Sequence, residues 1–115
     1  MSQTSDDLPL EVDCRAAEAL LRARETLLID CREPAEFEFA RIEGARLVPV
    51  SELAAGGMAG LEASRQGSIV VYCHHGVRSL WAAKWLRQNG FPCAQSIAGG
   101  IDAWSVEIDP AVPRY

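Results

Sequence analysis

The stretch IVVYCHHGVRS, residues 69–79, indicates the fold class of this 115-residue chain. Its first four residues are apolar and three of them are β-branched, which predicts a buried strand over residues 69–72. A polar turn with Gly76 follows, and a helix is predicted to begin at about Arg78. Cys73 is therefore expected at the carboxyl end of a strand and opposite the N-terminus of a helix, where open α/β sheets bind ligands.

The position of Cys73 favours a nucleophile. Loop N–H groups and the positive end of a helix dipole stabilise an anion, and the thiolate is the reactive form of cysteine. A lone cysteine is more often a small buried apolar residue, but few such residues occupy a strand end of this kind. Arg78 is predicted to hold an anionic substrate in fixed geometry and to neutralise the thiolate, rather than to be a solvated arginine at a helix start.

Two adjacent histidines, His74 and His75, invite a metal-site interpretation together with Cys73. Neighbouring residues on a tight loop rarely converge on one ion, and zinc sites take their ligands at defined spacings from separate elements. We therefore predict no metal. The backbone N–H groups of the two histidines are expected to line an anion cradle, and their side chains to shape its entrance.

The rest of the chain alternates short strands with helices. Strands are predicted over residues 10–12, 26–30, 46–50, 69–72 and 93–97; helices are predicted after an Asp13 cap, over 34–39, from Glu52 after a Ser51 cap, over 78–89, and around Ile101 and Trp104. This alternation predicts an α/β domain with a parallel sheet and helices on both faces, over residues 10–115 after a flexible tail of residues 1–9.

The strand over residues 26–30 ends on Asp30, so this carboxylate is expected at the same sheet edge as Cys73. It either orients the loop or pairs with Arg32, and a structural role is as well supported as a role toward substrate. Cys31 follows Asp30 directly, so a resolving thiol that reaches Cys73 is one alternative for it, and a packing role is favoured.

Composition limits the partners. The net charge of −5 argues against nucleic acid and anionic membranes, and no apolar run approaches the roughly 20 residues of a membrane span. The polar, acidic first residues do not resemble a signal peptide, and the four cysteines are widely spaced. We therefore expect a cytoplasmic protein with reduced thiols.

Four blocks of the sequence resemble, in order, the signatures of the single-domain rhodanese family of sulfurtransferases. They are LIDCREPAEF at residues 28–37, IEGA at 42–45 with Pro49, the loop at 73–79, and AGGI at 98–101 with Trp104. Departures from the family are Ala40-Arg41-Ile42, where Gly-His-Ile is frequent, and Cys31, where valine is frequent. The last residues, 104–115, resemble the end of rhodanese domains attached to adenylyltransferases in molybdopterin and thiamine sulfur transfer.

The resemblance implies a five-stranded, mainly parallel sheet and a cysteine that carries sulfur as a persulfide. It makes Cys73 the catalytic residue and implies a substrate cradle with supporting residues nearby and neither a metal nor an organic cofactor. The cradle comprises His74, His75, Gly76, Val77 and Arg78, and the supporting residues are Asp30, Arg32 and Ser79. The expected partners are a small donor such as thiosulfate and a nucleophilic acceptor, with a sulfur-carrier protein or a cysteine desulfurase as further candidates.

Two other functions are compatible with the fold. Dual-specificity phosphatases of the cell-cycle type separate their cysteine and arginine by five residues, whereas four lie between Cys73 and Arg78, so the loop is sized for sulfur. Rhodanese folds without the cysteine serve as interaction modules, and the presence of Cys73 argues against that. A sulfur carrier that requires a protein partner stands between the enzyme and the interaction module, because it forms the persulfide but turns over small acceptors poorly.

Overall fold

Five parallel strands form one sheet in the order β1-β5-β4-β2-β3. The computed structural model describes residues 8–56, 61 and 65–115. The strands are β1 (Glu11–Val12), β2 (Thr26–Asp30), β3 (Arg46–Leu47), β4 (Ser68–Tyr72) and β5 (Ala94–Ile97). The helices are α1 (Cys14–Ala23), α2 (Pro34–Phe39), α3 (Val50–Ala54), α4 (Val77–Gln88) and α5 (Gly100–Glu107). The predicted α/β class and five-stranded parallel sheet are confirmed.

The central strand β4 is buried on both faces because its successive side chains enter two separate cores. Ile69 and Val71 belong to the core that contains Leu86 of α4. Val70 and Tyr72 belong to the core that contains Trp104 of α5. Helices therefore cover both faces of the sheet, and the continuous apolar run of β4 follows from that burial.

The register of the two central strands places the candidate site. Asp30 at the end of β2 pairs with Tyr72 at the end of β4. The Cys31 N–H donates to the Tyr72 carbonyl at 3.1 Å, which extends the pairing by one residue. Cys31 and Cys73 therefore leave the sheet side by side at its carboxyl edge.

Several element boundaries differ from the prediction. α4 begins at Val77, one residue earlier than expected, with Gly76 as its N-cap. β3 has two residues instead of five, and α3 begins at Val50 with Pro49 as N-cap instead of Ser51. The cause is Pro49, which has no N–H for a strand ladder and whose fixed φ suits a helix start. β5 begins at Ala94, one residue later than expected.

The first and the last described residues contact the rest of the domain. Residues 1–7 of the predicted tail lie outside the described residues. The Pro9 carbonyl accepts hydrogen bonds from Arg87 Nη2 at 3.0 Å and Gln95 Nε2 at 2.9 Å. At the other end, the Ser105 hydroxyl donates to the carbonyl of the buried Val112 at 2.6 Å. Residues after α5 form no further helix or strand, as expected, yet they pack on the domain.

Among the described residues, no helix combines the length and the apolar character that spanning a membrane would require.

Candidate active site

The loop after β4 is shaped by close contact with the start of α5. Gly76 has φ of 102°, and a Cβ there would lie 3.1 Å from the Gly99 nitrogen. A Cβ on Gly100 would lie 2.4 Å from the Cys73 carbonyl oxygen. The Ile101 N–H donates to that same oxygen at 2.8 Å, and the Asp102 N–H donates to the His74 carbonyl at 3.1 Å. Glycines on both sides thus allow α5 to hold the loop from outside.

With its carbonyls directed to α5, the loop presents N–H groups to the sulfur of Cys73. The Gly76 N–H donates to Cys73 Sγ at 3.1 Å and the Ser79 N–H donates to it at 3.3 Å. Ser79 is buried, and its hydroxyl shares a hydrogen bond with the Ser96 hydroxyl at 2.8 Å. The first turn of α4 is therefore fixed around a buried sulfur atom.

The surroundings of Cys73 favour its thiolate. The Cys31 thiol, the Ser79 hydroxyl and the Ser79 and Gly76 N–H groups all stabilise the charged form, and burial opposes them. Together they lower the pKa of Cys73 from 9.0 to about 4. Cys31 is fully buried, and its hydrogen bond with Cys73 together with burial raises its own pKa.

Arg78 forms a bidentate ion pair with Glu36, an arrangement that the sequence analysis did not anticipate. Arg78 Nη1 lies 2.8 Å from Glu36 Oε1, and Nη2 lies 3.1 Å from Oε2. The guanidinium is partly exposed, and hydrogen bonding to Glu36 raises its pKa. The negative charge of the Cys73 thiolate also raises the pKa of Arg78, so this arginine lies beside the site with a carboxylate already bound to it.

Glu36 could have been noticed in the sequence as the acidic third residue of α2. Its side chain accepts the Glu33 N–H at 3.0 Å, as one half of a capping box. That pattern predicts a helix start, and only the tertiary fold brings the carboxylate to Arg78, 42 positions along the chain.

Asp30 and Arg32 form a fully buried ion pair, which is the structural alternative considered for Asp30. Arg32 Nε donates to Asp30 Oδ1 at 2.9 Å, and the second guanidinium edge reaches Asp30 Oδ2 and the Ala40 carbonyl. Arg32 Nη1 donates to the Tyr115 hydroxyl at 2.6 Å. The pair therefore anchors the end of β2 and a residue near the end of the chain.

The ring of Tyr115 covers the loop. It stacks on the His74 imidazole with centroids 3.8 Å apart, and its hydroxyl donates to Glu36 Oε2 at 2.7 Å. Arg114 binds Asp102 through two hydrogen bonds of 2.9 and 3.3 Å. Sequence reasoning missed Tyr115, because no local pattern shows where residues after the last helix come to lie.

The two histidines occupy different environments. His75 is 63% exposed at the entrance, as expected, with Nε2 4.0 Å from Asp102 Oδ2. His74 lies between His75 and Tyr115, and its buried Nε2 has no hydrogen-bond partner among the residues that the structure describes. Val77 presents its side chain to solvent, so only its backbone can serve a cradle.

Potential metal-binding atoms of His74, His75 and Asp102 lie within 4.8 Å of one another. The two imidazoles are stacked at 3.9 Å with an interplanar angle of 24°, so their in-plane lone pairs do not converge on one point. Both Asp102 oxygens are already bound by Arg114. This set does not have the geometry of a metal site.

Known proteins resemble this chain over most of its length. Residues 13–107 match the family model described as rhodanese-like domain. The thiosulfate sulfurtransferase GlpE of Vibrio cholerae is 31% identical over 101 residues, which cover 83% of this chain and 87% of that protein. The structure of the human single-domain sulfurtransferase TSTD1 superposes with a TM-score of 0.75 at 25% identity, covering 86% of this chain and 97% of that one.

Longer relatives contain the domain as one part. The probable adenylyltransferase/sulfurtransferase MoeZ of Mycobacterium tuberculosis is 39% identical over 93 residues, which cover 80% of this chain and 23% of that protein. This chain spans from 23% to 31% of the length of the first curated relatives that it matches. The family match, the parallel sheet and the cysteine loop at its carboxyl edge agree, and the chain belongs to the rhodanese-like domain family.

Proposed function

We propose that this chain is a sulfurtransferase that carries sulfane sulfur as a persulfide on Cys73. The observation that carries the proposal is a buried sulfur with a lowered pKa that accepts the Gly76 and Ser79 N–H groups. Its relatives named as sulfurtransferases support the same chemistry. A nucleophile of this kind has two requirements. It must be a thiolate, and N–H donors must already be in place to stabilise the negative charge of the persulfide intermediate.

The reaction is a double displacement. The Cys73 thiolate attacks the outer sulfur of a donor such as thiosulfate, the S–S bond of the donor breaks, and sulfite leaves with the electron pair. The new persulfide stays in the cradle, where the loop N–H groups stabilise its negative charge. A nucleophilic acceptor then attacks the terminal sulfur, and the Cys73 thiolate is the leaving group. Neither a metal nor an organic cofactor is required by this sequence of steps.

The partners of the chain are part of the same proposal. The chemistry requires one sulfur donor and one acceptor, and small molecules satisfy both roles. Among proteins, a cysteine desulfurase is the corresponding donor and a sulfur-carrier protein is the corresponding acceptor. The similarity to MoeZ, whose name joins an adenylyltransferase to a sulfurtransferase, supports a protein acceptor. A phosphatase is not proposed, since the loop has four residues between Cys73 and Arg78.

Intact-protein mass analysis tests the proposal. The protein is exposed separately to thiosulfate, to mercaptopyruvate, and to a cysteine desulfurase with cysteine, and we expect a mass increase of one sulfur atom that a thiol reductant removes. Cys73→Ser should abolish the increase, while Cys14→Ser and Cys93→Ser should retain it. A sulfur adduct that persists in Cys73→Ser would overturn the assignment of Cys73.

A further inference from the structure

The arginines around the loop are already paired with carboxylates. Arg78 binds Glu36, Arg114 binds Asp102, and the buried Arg32 binds Asp30. The Cys73 thiolate adds a negative charge at the centre of the site. A small anion that approaches Cys73 therefore meets guanidinium groups whose positive charge is already balanced by bound carboxylates.

Glu36 is held in place by more than its pairing with Arg78. Its Oε1 accepts the Glu33 N–H at 3.0 Å, and its Oε2 accepts the Tyr115 hydroxyl at 2.7 Å. The Arg78 guanidinium, with help from these two donors and against partial burial, lowers the pKa of Glu36 to about 2. The carboxylate is thus ionised at any working pH and is held by the start of its own helix and by two distant residues, Arg78 and Tyr115.

This arrangement discriminates among donors by charge. Thiosulfate brings two negative charges to a site where a thiolate and the Glu36 carboxylate already face one guanidinium. A thiosulfonate or the persulfide of a thiol presents the same electrophilic outer sulfur with less negative charge. In each case the Cys73 thiolate attacks that sulfur, the donor S–S bond breaks, and the electron pair leaves with sulfite, a sulfinate or a thiolate.

We propose that Glu36 is a specificity-determining residue, which disfavours free dianionic sulfur donors and favours donors whose total charge is at most one negative. This inference rests on the proposed sulfur transfer and names its donor class. It assigns a role to Glu36 that its capping of α2 does not require, because a glutamine would also accept the Glu33 N–H.

Two donors that differ by one charge test the inference. Rate constants for loading Cys73 are measured by intact mass with thiosulfate and with methanethiosulfonate, at low and constant ionic strength. We expect Glu36→Gln to raise the thiosulfate rate constant about tenfold and the methanethiosulfonate rate constant about threefold, since the second donor has half of the charge. Glu38→Gln removes an exposed carboxylate from the same helix and should leave the ratio of the two rate constants unchanged.

Tyr115→Phe provides a second test that leaves both charges of the pair in place. This substitution removes the hydroxyl that donates to Glu36 Oε2 and retains the ring that stacks on His74. The ratio of the thiosulfate rate constant to the methanethiosulfonate rate constant should therefore rise, but by less than in Glu36→Gln. An unchanged ratio in Glu36→Gln, or a fall in its thiosulfate rate constant, would overturn the role of Glu36 while leaving sulfur transfer intact. If neither donor loads Cys73 in the wild type or in any variant, the proposed function fails, and this inference fails with it.

Discussion

The Cys31 and Cys73 side chains lie in one buried core, at the ends of two neighbouring parallel strands. The residues immediately before them, Asp30 and Tyr72, are register partners. Both cysteines are buried in the same core, where the contact between them raises the pKa of Cys31 and lowers that of Cys73. Cys31 thus acts as a hydrogen-bond donor to the sulfur, in addition to the packing role that the sequence favoured.

The first prediction concerns the ionisation of Cys73. Because its pKa is lowered to about 4, the thiolate predominates at neutral pH and becomes protonated only as the pH falls through that value. We expect the rate of iodoacetamide modification to be at its plateau by pH of about 7 and to decline in acid. The measurement uses a protein with Cys14→Ser and Cys93→Ser, which retains the buried Cys31. A midpoint at or above about 8.5, the value of a free thiol, would contradict the cradle as the source of reactivity.

The second prediction isolates the contribution of Cys31. Cys31→Val removes the S–H donor and keeps an apolar side chain, so the pKa of Cys73 should rise by at least about one unit. Cys31→Ser retains a donor at the same place and should give a smaller rise. Both are measured as the midpoint of the alkylation profile against pH, in the background used for the first prediction. Identical midpoints for Cys31→Val and the parent protein would show that Cys31 only packs.

The third prediction concerns Arg78. Arg78→Ala removes the guanidinium and leaves Glu36 without its main partner, so thiosulfate should bind more weakly, by about 1.5 kcal/mol for a partly exposed charge-assisted contact. Arg78→Lys should restore part of the loss, because an ammonium lacks the planar fork. The test is the thiosulfate concentration dependence of persulfide formation. Unchanged concentration dependence in Arg78→Ala would remove Arg78 from the donor site.

The fourth prediction concerns the contact between α5 and the loop. A Cβ on Gly100 would lie 2.4 and 2.5 Å from the Cys73 and His74 carbonyl oxygens, and Gly100 has φ of 60°. Gly100→Ala should therefore displace the loop, lower the free energy of unfolding by about 2–3 kcal/mol, and slow Cys73 alkylation at neutral pH.

Gly44→Ala is the matched control for Gly100→Ala. Gly44 also has a positive φ, of 88°, but a Cβ there has no neighbour within 4 Å. Gly44→Ala should lower the free energy of unfolding by only about 1 kcal/mol, through backbone strain, and leave the rate of Cys73 alkylation unchanged. Denaturant unfolding and the alkylation rate are measured for both variants. Equal effects of the two substitutions on alkylation would show that α5 does not hold the loop.

Local sequence was sufficient for the elements and for the position of the nucleophile. The apolar run over residues 69–72 followed by Cys73 and Gly76 predicted a buried strand, a turn and a helix, because burial pattern and glycine conformation act over a few residues. The Asp13 cap is also confirmed, since its side chain accepts the Ala16 N–H at 2.8 Å. The predicted length of β3 was wrong, because the strand ends at Leu47 and Pro49 is the N-cap of α3.

Tertiary structure decided which side chains meet at the mouth of the loop. Glu36 and Arg78 are 42 positions apart, and Tyr115 is 79 positions from Glu36. No periodicity links such residues, because their contact depends on how α2, α4 and the end of the chain pack over one sheet edge. The strand, the loop and its cysteine follow from the sequence, whereas the assembled fold is needed to give Arg78 a carboxylate partner and to bring Tyr115 over the loop. Side-chain charges and hydrogen bonds act over a few ångströms of space, whatever the separation along the chain.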